Sequence, residues 1–216
     1  MFAGHLGASL ALASTERRVN VGVFIAAGLG LDLLLWAFVL LGWEVVTIPA
    51  AFASTHQPEF VFPYSHGLFA SLVWSALVGG VALARDRMLP GRRWRAAALL
   101  AAAVFSHWLL DGLVHRPEMH LLGGSSPVVG LGLWQHMPTA LTVEATVALG
   151  GLWLFGAGCS LSRGRRVGGT ALSLLVLAFT ILGMTIAPAP PSASAMAGSS
   201  LVTITVVCVI AYGIGR

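Results

Sequence analysis

AAALLAAAVFSHWLLDGLVHRP, residues 96–117, is an apolar run broken by His107, Asp111 and His115 at successive intervals of four. Positions i, i+4 and i+8 drift only about 40° per step around a helix of about 3.6 residues per turn, so the spacing predicts three side chains along one helical face. An imidazole, carboxylate, imidazole stripe is a donor set for a divalent metal. Within a bilayer, ionisable groups are costly enough that function is the default reading when they face a bundle interior.

The rest of the chain supplies the bilayer. With 57% hydrophobic residues, 9% charged residues and a mean hydropathy of +0.87 over 216 residues, it cannot cover a water-facing surface with polar groups. Several apolar runs approach the roughly 20 residues that cross a membrane. The expected fold is an all-α, polytopic membrane bundle of about six transmembrane helices plus a short N-terminal helix, in one transmembrane domain, 1–216. The spans are read near 19–42, 65–85, 96–116, 138–160, 167–188 and 200–215, after a short helix near 2–14. Residues 1–155 are expected to carry the metal-site core, with the C-terminal helices, 167–216, peripheral. The net charge of +4 does not point to nucleic acid, because the arginines sit in short clusters between apolar runs. Cys159 and Cys208 have no metal-type spacing and read as packing residues. The first segment ends in LALAS, like a cleavage region, yet it lacks a basic leader and is followed by Arg17 and Arg18, an order that argues against a signal peptide.

Those arginines predict orientation. Arg17 and Arg18; Arg85, Arg87, Arg92, Arg93 and Arg95; Arg163, Arg165 and Arg166; and Arg216 fall at alternate ends of successive spans. By the positive-inside rule these ends are cytoplasmic. The segments 43–64, 117–137 and 187–199 are then outside, with Arg116 the lone arginine there. The expected location is a bacterial cytoplasmic (inner) membrane, with the lipid bilayer as first partner and the site facing the periplasmic side. APAPPSASAMAGSS, 187–200, reads as a flexible connector. Asp86 reads as a cytoplasmic surface charge, and His56 and His120 as solvated loop residues.

Depth gathers the remaining polar residues. At a rise of about 1.5 Å per residue, His107, Asp111 and His115 lie roughly 18, 24 and 30 Å beyond Arg95, with Asp32, Glu144 and His5 roughly 18 to 28 Å from their own arginines. His66 opens the third segment at its outer end and His136 precedes Pro138. His5, Asp32, His66, His107, Asp111, His115, His136 and Glu144 can therefore occupy one layer. Imidazole and carboxylate together suit zinc, with manganese or iron as alternatives. The number of candidates exceeds one site, which points to two or more ions and to hydrolysis by metal-activated water, a geometry common in phosphoester chemistry. Asp111, Glu144 and Arg116 are the candidate catalytic residues; Arg116 is placed to grip a phosphate, or else anchors the interface.

The segments GH at 4–5, LD at 31–32, PYSHG at 63–67, SHWLLDGLVHRPEMH at 106–120 and GLGLWQHMPTALTVE at 130–144 resemble a family of bacterial inner-membrane metal-dependent hydrolases, over about residues 1–155. The order His, Asp, His, HxxxD, His, His, Glu is similar, more distantly, to the ligands of zinc-dependent phospholipase C and the related single-strand nucleases. That resemblance implies helical phosphodiester hydrolysis with three zinc ions and Asp111 as a bridging carboxylate. His136 and Glu144 are eight apart here, where that family spaces the pair by four.

Two other function classes compete. A transporter or proton-coupled permease would use the same acids and histidines as an ion path, but the inner halves of the spans offer no titratable residue to continue it. A noncatalytic scaffold would use a closed metal site to tie helices together.

Overall fold

A computed structural model describes residues 1–85, 90–158 and 162–215, the side chains of 90–92 excepted. Asp86, Arg87, Cys159, Arg216 and the Arg92 side chain lie outside the described residues. Among those residues the helices are α1 (Phe2–Ala13), α2 (Val21–Gly28), α3 (Gly30–Leu40), α4 (Phe52–Thr55), α5 (Leu68–Arg85), α6 (Pro90–Val114), α7 (Met137–Gly158), α8 (Arg163–Thr185) and α9 (Ala193–Ile214). Five are long and apolar enough to cross a membrane, or six if the bent pair α2 and α3 is one span. The chain is thus an all-α bundle with a short N-terminal helix.

The expected single span 19–42 is broken. Leu29 sits at φ −95°, ψ 4°, between Gly28 and Gly30, and the two halves meet at 49°. The last carbonyls of a helix have no partner within it, so the break frees Gly28 O for a side chain of α6.

Helix α1 has 12 residues, too few to cross. It lies inside the bundle against α7 because neither helix has a side chain at the crossing. A Cβ on Gly7 would collide with the Val147 and Ala148 backbone, and one on Gly151 with the Gly7 backbone. Small residues serve membrane helices in this way, letting backbones touch where apolar burial alone gives no drive. Helix α5 packs on α6, where Gly79 faces Ala97 and Ala101. Helix α9 packs on α2 and α3, while α8 packs on α1, α7 and α9. Large apolar side chains such as Trp153, Leu175 and Val209 remain exposed, as lipid-facing residues do.

Helices α8 and α9 start earlier than their hydropathy suggests, because polar residues cap them. Ser162 accepts from Arg165 N, and Ser192 accepts from Ala195 N, which turns half of the expected connector 187–199 into helix. The long loops at the end opposite Arg85 and Arg93 contain two antiparallel pairs: β1 (Val45–Thr47) with β2 (Glu59–Val61), and β3 (Met119–His120) with β4 (Val128–Val129). The second pair corrects the expectation of a solvated His120. Phe69 N donates to Leu121 O and holds β3 against the start of α5, leaving His120 buried.

Candidate metal centre

Four segments meet around Asp111. Helix α6 brings His107, Asp111 and His115 on one face, as their spacing predicts; α1 brings His5, the start of α3 brings Asp32, and the turn before α5 brings His66. Asp111 Oδ2 lies 3.1 Å from His107 Nε2, 3.4 Å from His66 Nε2 and 3.8 Å from His115 Nε2. Asp111 Oδ1 lies 3.0 Å from His5 Nε2 and 3.0 Å from Met1 N. Asp32 Oδ1 stands 3.7 Å from both His66 Nε2 and His107 Nε2. The rings of His5 and His107 stack at 3.6 Å, only 9° from parallel. His5, His66, His107, Asp111 and His115 are buried; the Asp32 side chain, 20% exposed, is where the cluster opens.

Hydrogen bonds assign two of the imidazole tautomers. His107 Nδ1 is 2.7 Å from Gly28 O, and His115 Nδ1 is 2.7 Å from Glu118 Oε1. A carbonyl and a carboxylate only accept, so each Nδ1 donates its hydrogen outward, and in the neutral ring the lone pair is left on Nε2, the atom nearer Asp111. Lone pairs and carboxylate oxygens about 3 Å apart repel unless a cation or proton lies among them. The buried Nδ1 of His5 has no hydrogen-bond partner among the described residues. Two triads have ligand atoms within 4.8 Å of one another, His5 with Asp32 and His107, and His66 with His107 and Asp111. This donor set fits a metal ion. Two carboxylates, Asp111 and Asp32, face His66 Nε2 at 3.4 and 3.7 Å. The pocket attracts positive charge.

Glu144 is buried but belongs to neither triad. Its Oε1 accepts from Ala3 N at 2.9 Å and Gly4 N at 3.3 Å, capping α1 from α7. Glu144→Ala would leave two buried N–H groups without an acceptor, so the expected cost is about 1–3 kcal/mol. Glu144→Gln, whose amide oxygen still accepts, should restore most of it. Unfolding titrations in detergent measure both, and equal stability of the three proteins would refute the cap. His136 is exposed and belongs to neither triad. Arg116 pairs with Glu59 Oε1 at 3.7 Å, both half-exposed.

Supporting residues went unread in the sequence. Glu118 stands three after His115, in the turn that follows α6. No spacing pointed to Glu44 and Ser65. Glu44 Oε1 accepts from Tyr64 N and Ser65 N, both at 2.8 Å, its Oε2 lies 2.7 Å from Ser65 Oγ, and Ser65 Oγ lies 2.8 Å from His66 Nδ1. Gly42, at φ 74°, makes the left-handed turn that ends α3 and delivers Glu44 there. Burial raises the Glu44 carboxyl above its ordinary range, against the bonds from Ser65 that lower it.

Comparison of the chain with protein-family models, with curated proteins and with solved structures finds no match.

Proposed function

We propose that this protein is a membrane-embedded, metal-dependent hydrolase of phosphoesters, with zinc the first candidate ion and manganese or iron the alternatives. One observation carries the reading: the Nε2 atoms of His107 and His66, 3.1 Å apart, and two carboxylates, Asp111 and Asp32, converge in a buried pocket. A bound ion supplies Lewis acidity that makes water nucleophilic near neutral pH. Asp111 would contribute to holding the ion or ions with either oxygen, since Oδ1 lies by His5 and Oδ2 by His107. His107, with Nδ1 committed to Gly28 O, has one lone pair and serves one ion, so a second ion draws on the remaining ligands. Asp32 is the point at which water and substrate reach the cluster. By the distribution of arginines this end of the bundle faces outside a bacterial cytoplasmic membrane.

A lipid phosphoester is the substrate favoured by the surroundings. A groove of about 850 Å³ is lined by Phe38, Trp43, Tyr64, Val73 and Trp74, apolar and aromatic groups suited to an acyl chain. It shares the segment Pro63–Tyr64 that leads directly into Ser65 and His66.

The test is metal analysis of the purified protein together with turnover of phospholipids in vesicles. At least one tightly held transition metal and metal-dependent release of a phosphoester product are expected; protein that holds no metal would end the reading. The break at Leu29, next to Asp32, favours a second reading, since transporters use discontinuous helices at their ion sites. Metal accumulation inside vesicles without phosphoester turnover would select that one.

A further inference from the structure

The polarity of one hydrogen-bond chain decides whether His66 can serve the cluster at all. Glu44 Oε1 is occupied by two backbone donors, Tyr64 N and Ser65 N, and its Oε2 by the Ser65 hydroxyl. A hydroxyl has one hydrogen. Spent on Glu44, it leaves Ser65 Oγ only as an acceptor toward His66 Nδ1, 2.8 Å away. We propose that Glu44, acting through Ser65, is a positioning residue that keeps the hydrogen of His66 on Nδ1 and so aims the Nε2 lone pair at Asp111 and Asp32. With Gly28 O behind His107 and Glu118 behind His115, three imidazoles then turn their lone pairs to one point by three different outer partners. Such partners orient metal-binding histidines and raise their basicity.

The geometry makes the chain reversible in a specific way. In Glu44→Gln the donors Tyr64 N and Ser65 N still require an acceptor at the Oε1 position, so the amide oxygen remains there and the NH₂ group points at Ser65 Oγ. The hydroxyl then accepts from the amide and turns its own hydrogen onto His66 Nδ1. That nitrogen becomes an acceptor and the ring hydrogen moves to Nε2, which now presents N–H rather than a lone pair to the cluster. Shape is retained while function is inverted.

The assignment uses the metal-dependent reading only for its consequence, and the experiment separates the two. Nitrogen-15 spectra of histidine-labelled, metal-free protein in bilayers, recorded at about pH 10 where imidazole is neutral, are compared for wild type and Glu44→Gln. The His66→Gln spectrum assigns the signal. Wild type should show His66 protonated on Nδ1, and Glu44→Gln should show it protonated on Nε2, with zinc affinity about 10- to 100-fold weaker. Ser65→Ala should weaken zinc binding similarly and Ser65→Thr, which keeps the hydroxyl, should restore it. If Glu44→Gln fails to accumulate, the Ser65 pair decides the same point. An identical tautomer in wild type and Glu44→Gln, or equal zinc affinity in Ser65→Ala and Ser65→Thr, overturns the proposal. Wild type that binds none of zinc, manganese and iron refutes the metal-dependent function instead, while the tautomer comparison still judges Glu44.

Discussion

Asp111→Asn protein should keep its helices and lose its metal. The amide matches the carboxylate in shape, and its NH₂ group can donate to the lone pair that His107 Nε2 directs at the Oδ2 position, 3.1 Å away. The repulsion among acceptors is relieved and no large cavity forms, but the buried Met1 ammonium loses its counter-charge, so the metal-free variant should keep its helices at reduced stability. For a cation the same change removes both the negative charge and a carboxylate oxygen. Wild-type stability should rise with added metal by about 2.7 kcal/mol at a hundred times the dissociation constant. Asp111→Asn should show no such rise, and phosphoester turnover should vanish with it. Thermal unfolding in detergent across a zinc titration measures this. An unchanged metal response in the variant would place the ion elsewhere.

Gly151→Ala should be more damaging than its single methyl group suggests. The added Cβ meets the backbone of Gly7, not a flexible side chain, so α1 must move off α7. Overpacking of this kind costs about 1–3 kcal/mol. The movement also withdraws Ala3 N and Gly4 N from Glu144 and carries His5 away from Asp111. Gly150→Ala is the internal control. It lies one residue away in the same helix, with no atom within 4 Å of the new Cβ, and should be neutral. Metal content and unfolding of the two variants decide the matter; equal behaviour would contradict the close crossing of α1 and α7.

The stripe on α6 was legible because helical periodicity places i, i+4 and i+8 on one face, and its partners His5, Asp32 and His66 were legible because depth in a membrane constrains charged groups. Glu144 shared the depth, but its environment depends on how α1 begins, which hydropathy does not encode. The break between α2 and α3 was hidden because VFIAAGLGLDLLLW has no proline, and glycine pairs occur in straight membrane helices as well. The supports of the histidines follow different rules. Glu118 stands three after His115, whereas Glu44 reaches Ser65 across 21 residues of loop and strand that carry no period. The short strand pairs that fold those loops contain only two or three residues each, below what alternation can reveal.

The capping of α1 by Glu144 has a bearing on biosynthesis. The acceptor for Ala3 N is 141 residues downstream, and the partner of His5 is 106 residues downstream. A ribosome therefore releases the N-terminal helix long before anything exists to receive it. Its buried polar atoms have no home in lipid in the meantime, so docking of α1 has to follow the synthesis of α7. The centre is then completed only once α6 and α7 have both been made, because each supplies a partner that α1 cannot find nearer in sequence.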